Sequence, residues 1–539
     1  MPAFSWCSEC GAAKTVTDIG SPTRKGGFEF PAPGTRHHIL MTSNEVPLDS
    51  DVAIIESAIS KTDAPLACLN DEIARLQFRL EQLKAERDCL STYRTKNHAI
   101  LSPVRRIPSE VLGEIFSWAM PLPEDVYRCR RFQIADSPWL LTHICRHWRA
   151  VSVSDPSLWS LITIYYDPGM NPSSSYSVPM LETQIARAQN LKIHLHGREG
   201  CDSQLQAEIF HCLSKHSSRW EELRLTLTSA IFPLLDNVQG RVPILRSLWI
   251  QWDDEEIETA AESVDFVETA PSLVDVSIFS VSVPMSISLP VGHLTRYQLD
   301  GPWEMHRGIL ALGPNLVEAR ISVKYQDDPW LTEGEVIHLA ALARLYVSQP
   351  EVLPYIRAPA LQELALFFPY TDRLFIMPKL QTFLSRSSCT TLYRLCLSGC
   401  SDAETTIKIL QNIPSITELR IILTTPDLCT GVKELMDKLT ISDVGVPGPP
   451  LVPALSGIFF GSTCSGLFDF TAYLKMVQSR WNRRDCALSH TALLMELGPD
   501  CETLDDLEAL RRDGLEFHSF TQEDALTHMA SWIYSRRNA

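Results

Sequence analysis

No run of this chain approaches the roughly 20 consecutive apolar residues that a membrane-spanning helix needs. The opening stretch, MPAFSWCSECGAAK, lacks the apolar centre of a signal peptide. The 15 cysteines are odd in number and follow no regular framework, so reduced thiols in the cytoplasm or nucleus are expected rather than disulfides. Basic charge is short: 48 Lys and Arg stand against 65 Asp and Glu, a formal net charge of -17. That balance argues against nucleic-acid binding through a general basic surface.

Chemical motifs are missing too. There is no GxSxG elbow and no GxxxxGK phosphate loop. His143 and His147 stand four apart, but Ile144 holds the place where a metalloprotease helix has Glu. Cys7 and Cys10, with His37 and His38, could supply four zinc ligands only across a long irregular spacer, so they read as incidental. Cys396 and Cys400 flank a strand end with no His partner in view. The carboxylates from Asp253 to Glu256 read as a solvated charge run. No catalytic residue, no metal and no cofactor is expected.

What is present is ordinary globular material: 45% hydrophobic and 21% charged residues over 539 positions, enough for three or four domains at ~150 residues each. Residues 1-65 mix Gly, Pro, Ser and Thr without a sustained period and read as a poorly ordered tail. Over 66-100 the pattern changes. Leu69, Ile73, Leu76, Leu80, Leu83 and Leu90 recur in alternating steps of four and three, with Arg87 at the one apolar place it interrupts. One amphipathic helix folding back on the following domain is expected; a dimer contact is the other use of such a seam.

The stretch from Ile107 to Trp159 organises the chain. Pro108 suits the first turn of a helix, and Val111, Leu112, Ile115 and Phe116 form an apolar stripe. A second helix carries Leu140, Leu141, Ile144, Trp148 and Val151, with Cys145 beside them, and Asp155-Pro156-Ser157 stops it. So small a segment is marginal unless it docks on something. The order Pro108-x-Glu110-Val111, Ile115-Phe116, Ile144-Cys145-Arg146-x-Trp148-Arg149, then Leu158-Trp159, resembles the F-box. Two departures are Ile107, where the family most often has Leu, and a long insert from Met120 to Ser137. With the leucine helix before it and the Leu101-Ser102-Pro103 lead, the stretch looks like the fungal, mushroom-type F-box proteins.

Beyond a β-rich run at Leu161–Tyr166 and a Pro/Ser loop, one pattern returns: Leu-x-x-Leu-x-Leu. Copies include Trp220/Leu223/Leu225, Leu245/Leu248/Ile250, Leu273/Val276/Ile278, Leu294/Tyr297/Leu299, Leu316/Ala319/Ile321, Leu342/Leu345/Val347, Leu361/Leu364/Leu366, Leu392/Leu395/Leu397, Ile416/Leu419/Ile421 and Leu455/Ile458/Phe460. Most lie roughly 20 to 30 residues apart, the period of leucine-rich repeats. The last two apolar residues of each copy point to one face of a short strand. Intervening stretches such as Ser203–Leu213, Glu258–Thr269 and Asp402–Gln411 read as helices.

The expected fold is therefore α+β. A tail at 1-65 precedes a heptad helix at 66-100 and a three-helix F-box at 101-165. An irregular α/β leucine-rich-repeat solenoid at 180-465 and a helical cap at 466-539 follow. The resemblance implies a non-catalytic substrate-recognition subunit of an SCF-type cullin-RING ubiquitin ligase. Its F-box would bind the Skp-family adaptor through Pro108, Val111, Leu112, Ile115, Phe116, Cys145 and Trp148. Its repeats would hold an unknown target protein, with Trp249, Trp252 or Arg320 as candidate contacts. The alternative is a protein-interaction scaffold outside any ligase. Neither reading calls for nucleic acid or a membrane.

Overall fold

The computed structural model describes residues 5–6, 13–14, 31–120, 138–166, 177–252, 263–280, 284–324, 330, 335–368, 376–399, 403–424, 428–441, 451–462, 468–483, 486–522, 524–525 and 528–529. The insert at 121–137, Cys7, Cys10, Cys400, the run at 253–256 and the C-terminal Arg536-Arg537 lie outside them. The chain forms two units, Met1–Pro108 and Ser109–Ala539.

In the first unit a short helix, α1 (Arg36–Thr42), precedes α2 (Asp49–Ile100), which is 52 residues long. Asp49 and Asp51 stand in the first turn of α2, where the partial positive charge of a helix start favours carboxylates. Asp51 also accepts the Leu48 amide at 3.0 Å. Ser102-Pro103 ends the helix, because the residue before a proline is pushed out of the α region. The helix thus begins well before residue 66 and runs through Pro65, so the expected tail is helical from Asp49. Within its own unit α2 buries no residue.

Among the described residues the second unit starts with three short helices, α3 (Ser109–Ala119), α4 (Pro138–Ile144) and α5 (Arg146–Ser154). One helix was expected where α4 and α5 stand. Cys145 breaks it with an extended backbone (φ -158°, ψ 170°), and its Sγ caps α5 by accepting the Trp148 amide at 3.4 Å.

Among the described residues fourteen strands follow in one sheet. They are β1 (Leu161–Tyr165), β2 (Leu191–His196), β3 (Trp220–Thr226), β4 (Ser247–Trp252), β5 (Asp275–Ser280), β6 (Arg296–Gly301) and β7 (Glu318–Val323). Then come β8 (Arg344–Val347), β9 (Glu363–Phe367), β10 (Arg394–Ser398), β11 (Glu418–Leu423), β12 (Gly457–Ser462), β13 (His490–Met495) and β14 (Glu516–Thr521). They lie side by side in chain order, every pairing parallel. Each returns to the same direction through a crossover, which several times is a helix, as in Ser203–Ser214, Trp303–Leu312, Ala403–Asn412 and Phe470–Trp481. This is an α+β chain with a solenoid-like α/β repeat.

Register explains the repeat pattern. Leu223, Leu248, Val276, Tyr297, Ala319, Leu345, Leu364, Leu395, Leu419, Ile458, Thr491 and Phe517 form one row across twelve strands. All are buried. Each unit hides its apolar side only against its neighbours, so stacking supplies the core.

Three corrections follow. The sheet runs from 161 to 521, beyond 180-465, and β13 and β14 fall where a helical cap was expected. The described part of Glu258–Thr269 is an isolated bridge at Val264 and a turn, not a helix. Trp252 lies on the packed face, 9% exposed and against Phe232, so it is not available to a target.

Candidate functional site

Two surfaces of the second unit stand out. The first is on α3 to α5. Leu112 and Phe116, both 1% exposed, face inward, and Phe116 meets the Trp148 ring at 4.8 Å. One residue round the helix, Val111, Ile115 and Trp118 recur at the same helical spacing and are 50%, 44% and 87% exposed. The helix therefore has two apolar stripes, one fastened and one bare. On α4 the pattern repeats: Leu141 and Thr142 are buried, while Leu140 and Ile144 are exposed.

This placement corrects the expected contact set. Leu112 and Phe116 hold the helices together and present nothing to a partner. Trp148 is half-buried against Phe116, and Cys145 is exposed at the α5 cap. Val111 and Ile115 are on the bare stripe. Pro108, the last residue of the first unit, is exposed. Trp118 was missed, though it continues the Val111, Ile115 series by a step of three.

The three helices are welded to the first strand. Asp155 accepts the Ser157 amide at 3.0 Å, turning the chain into the short helix Pro156–Trp159. Trp159 is fully buried, donates its indole N–H to Ser152 O at 2.7 Å, and lies under the Arg187 guanidinium at 4.3 Å. Gln184 Nε2 donates to Trp159 O and Leu161 O at 3.1 and 2.8 Å, so the helix after β1 grips the joint. His143 and His147 are both exposed on this helical set.

The second surface is the sheet face opposite the packed row. Its first row alternates in charge: Arg296, Glu318, Arg344, Glu363, Arg394 and Glu418 occupy six neighbouring strands in register. Glu318 bonds Arg344 at 2.6 Å, Glu363 bonds Arg394 at 2.8 Å, and Arg394 also pairs with Glu418. Burial opposes the Glu418 charge, but Arg420 and Arg394 outweigh it and hold the carboxyl below its usual range.

Beside this row, over β1 to β8, runs a path of flat side chains. Tyr165 stacks on His196 at 4.3 Å; Trp249 lies 6.1 Å from His196 and 5.6 Å from Phe279. The Arg320 guanidinium sits 5.7 Å over Phe279 and 4.9 Å over Tyr346. Burial pushes His196 down to about 3, so the imidazole is neutral near pH 7. Aromatic and Arg side chains of this kind carry most of the binding energy at protein interfaces.

Over β9 to β13 the same face also carries an apolar patch beside the charge row, and this patch is already covered. Ala365, Cys396, Ile422, Ala492 and Leu494 cluster with Ala525 and Met529 from the C-terminal segment, and Tyr346, Phe459 and Phe520 pack against them. Burial pushes the Cys396 thiol up to about 12, which makes it a poor nucleophile.

Among the described residues no group of three or more His, Cys, Asp or Glu could hold a metal, and no helix is long and apolar enough to cross a membrane. No family model matches the chain, and no curated protein matches it. Among solved structures, the crystal structure of a Bacteroides fragilis protein from the Northeast Structural Genomics Consortium is similar at 11% identity. It covers 65% of this chain and 74% of its own, with a TM-score of 0.22, a likeness too slight to carry an argument.

Proposed function

We propose that this protein is a substrate-recognition subunit of an SCF-type cullin-RING ubiquitin ligase. The helices α3 to α5 act as its F-box and dock on a Skp-family adaptor. The sheet, read as a leucine-rich-repeat solenoid, holds a target protein on the face carrying Trp249, Phe279, Arg320 and Tyr346. The chain itself makes and breaks no bond; it raises the local concentration of target lysines near the conjugating enzyme.

The observation that carries this reading is the bare stripe Val111, Ile115, Trp118 beside the fastened stripe Leu112, Phe116. Apolar side chains left at a helix surface in such a series mark an interaction site. A helix that only filled a core would not keep both stripes apolar.

Co-purification with the adaptor tests it. Ile115→Asp is expected to abolish adaptor capture, and Pro108→Ala to weaken it, while the melting temperature of the sheet stays unchanged because both residues are exposed. Full adaptor capture by Ile115→Asp sinks the proposal.

A further inference from the structure

The leucine seam of α2 has no cover within its own unit. Leu66, Leu69, Ile73, Leu76, Leu80 and Leu83 are between 47% and 60% exposed. Read as heptads, Ile59, Leu66, Ile73, Leu80 and Arg87 fall at one seam position, and Thr62, Leu69, Leu76, Leu83 and Leu90 at the other. Apolar residues at both seam positions form a stripe that a second helix can cover by knobs-into-holes packing.

We propose that α2 pairs with α2 of a second copy of this chain, in antiparallel orientation, centred between Ala74 and Arg75. Charge complementarity selects both partner and direction. In that register Ile73 faces the copy's Leu76, Leu69 faces Leu80, Leu66 faces Leu83, and Ile59 faces Leu90. Arg87, the one long polar residue in the seam, meets Thr62, the other polar one. On the flanks Glu72 falls beside Arg79 of the copy and Asp63 beside Lys84, each twice by symmetry. Asn70 falls beside Gln77.

The alternatives bring like charges together. A parallel pair sets Arg87 against Arg87 and Arg79 against Lys84. Sliding the antiparallel pair by one heptad sets Glu72 against Glu72 in one direction and Arg79 against Arg79 in the other. Within its own helix Glu72 is bonded to Arg75 at 2.6 Å and Lys84 to Glu81 at 2.8 Å. These side chains are exposed, so they are free to share those bonds with a partner strand.

Sedimentation equilibrium on the full chain tests this. The wild type is expected at twice the 60.6 kDa chain mass at micromolar concentration. Arg79→Glu should weaken the dimer at least tenfold, and Glu72→Arg combined with Arg79→Glu should restore it. In a parallel pair Arg79→Glu would instead tighten association through Lys84, which overturns the proposal. So would a monomeric wild type, or a dimer indifferent to Leu76→Asp. None of these substitutions touches a buried residue, and unchanged helical circular dichroism in the monomer reports that α2 still folds.

Discussion

Leucine has opposite fates in the two units of this chain. Along α2 the seam leucines lie bare, and the helix buries nothing. Across the sheet, Leu223, Leu395 and Leu419 have no exposed surface at all. Both series recur along the chain, yet only the second finds its cover within its own unit. A strand repeat returns every leucine to the same height beside the last, so neighbours from one chain seal it. A single long helix never returns, and its stripe can be closed only by another helix.

Truncation should separate the two fates most sharply. Leu419→Ala is expected to cost ~2–5 kcal/mol of unfolding free energy, since the hole it leaves in a tight stack cannot collapse. Leu76→Ala should move the unfolding midpoint of the sheet by less than about 0.5 kcal/mol. Denaturant melts followed by tryptophan fluorescence read both, and equal losses would erase the contrast.

Acid gives a second, smaller probe of the stack alone. His306 is fully buried between Tyr297, whose hydroxyl lies 2.9 Å from its Nδ1, and Ser322 O at 3.3 Å from Nε2. Burial pushes its imidazole down to about 4 from an ordinary 6.5. The folded form therefore refuses a proton that the unfolded chain accepts. The stability tied to this residue is whole above pH 6.5 and is lost as the pH falls toward 4. Between pH 7 and pH 5 the expected loss is about 2 kcal/mol. His306→Gln should remove that share of the pH dependence, and an unchanged slope in the variant would refute the assignment.

The smallest effect concerns the covered part of the open sheet face. A chain shortened after Thr521 loses Ala525 and Met529, which close over Cys396. Peptide-resolved alkylation at pH 8 is expected to label Cys396 in the shortened chain and to spare it in the full one. Labelling at equal rates would show that the C-terminal segment does not shield that face.

Much of the stack was legible because the side-chain period survives in sequence: Leu361/Leu364/Leu366 or Leu392/Leu395/Leu397 announce strands. Three strands escaped because other residues fill the same places. Ala188 opens the copy at β2. At β13 Thr491 takes a leucine position, its hydroxyl donating to Ile458 O at 2.6 Å and so satisfied in the core. At β14 Phe517 is followed by Ser519. Pattern matching on leucine passes over such substitutions, although Ala188, Thr491 and Phe517 are as buried as the leucines they replace.

The bare surface on α3 was harder to read. Val111, Leu112, Ile115 and Phe116 make one broad stripe in sequence, and the 3.6-residue period cannot say which half turns inward. The neighbour decides: Trp148 docks on Phe116, and that contact rotates Val111 and Ile115 outward. The split at Cys145 was hidden for a similar reason, since its cap forms only once the chain bends. The exposed seam of α2 was visible as heptads, but sequence alone does not show whether the same chain provides cover.

The charge row on the sheet bears on how such a chain can lengthen. From Arg296 to Glu418 the sign changes at every strand. Gaining or losing a single unit there would set two like charges side by side across 4.8 Å or so of backbone spacing. Gaining or losing two would leave the alternation intact. This region of the gene is thus expected to grow and shrink by even numbers, with the ion pairs acting as a parity check on duplication.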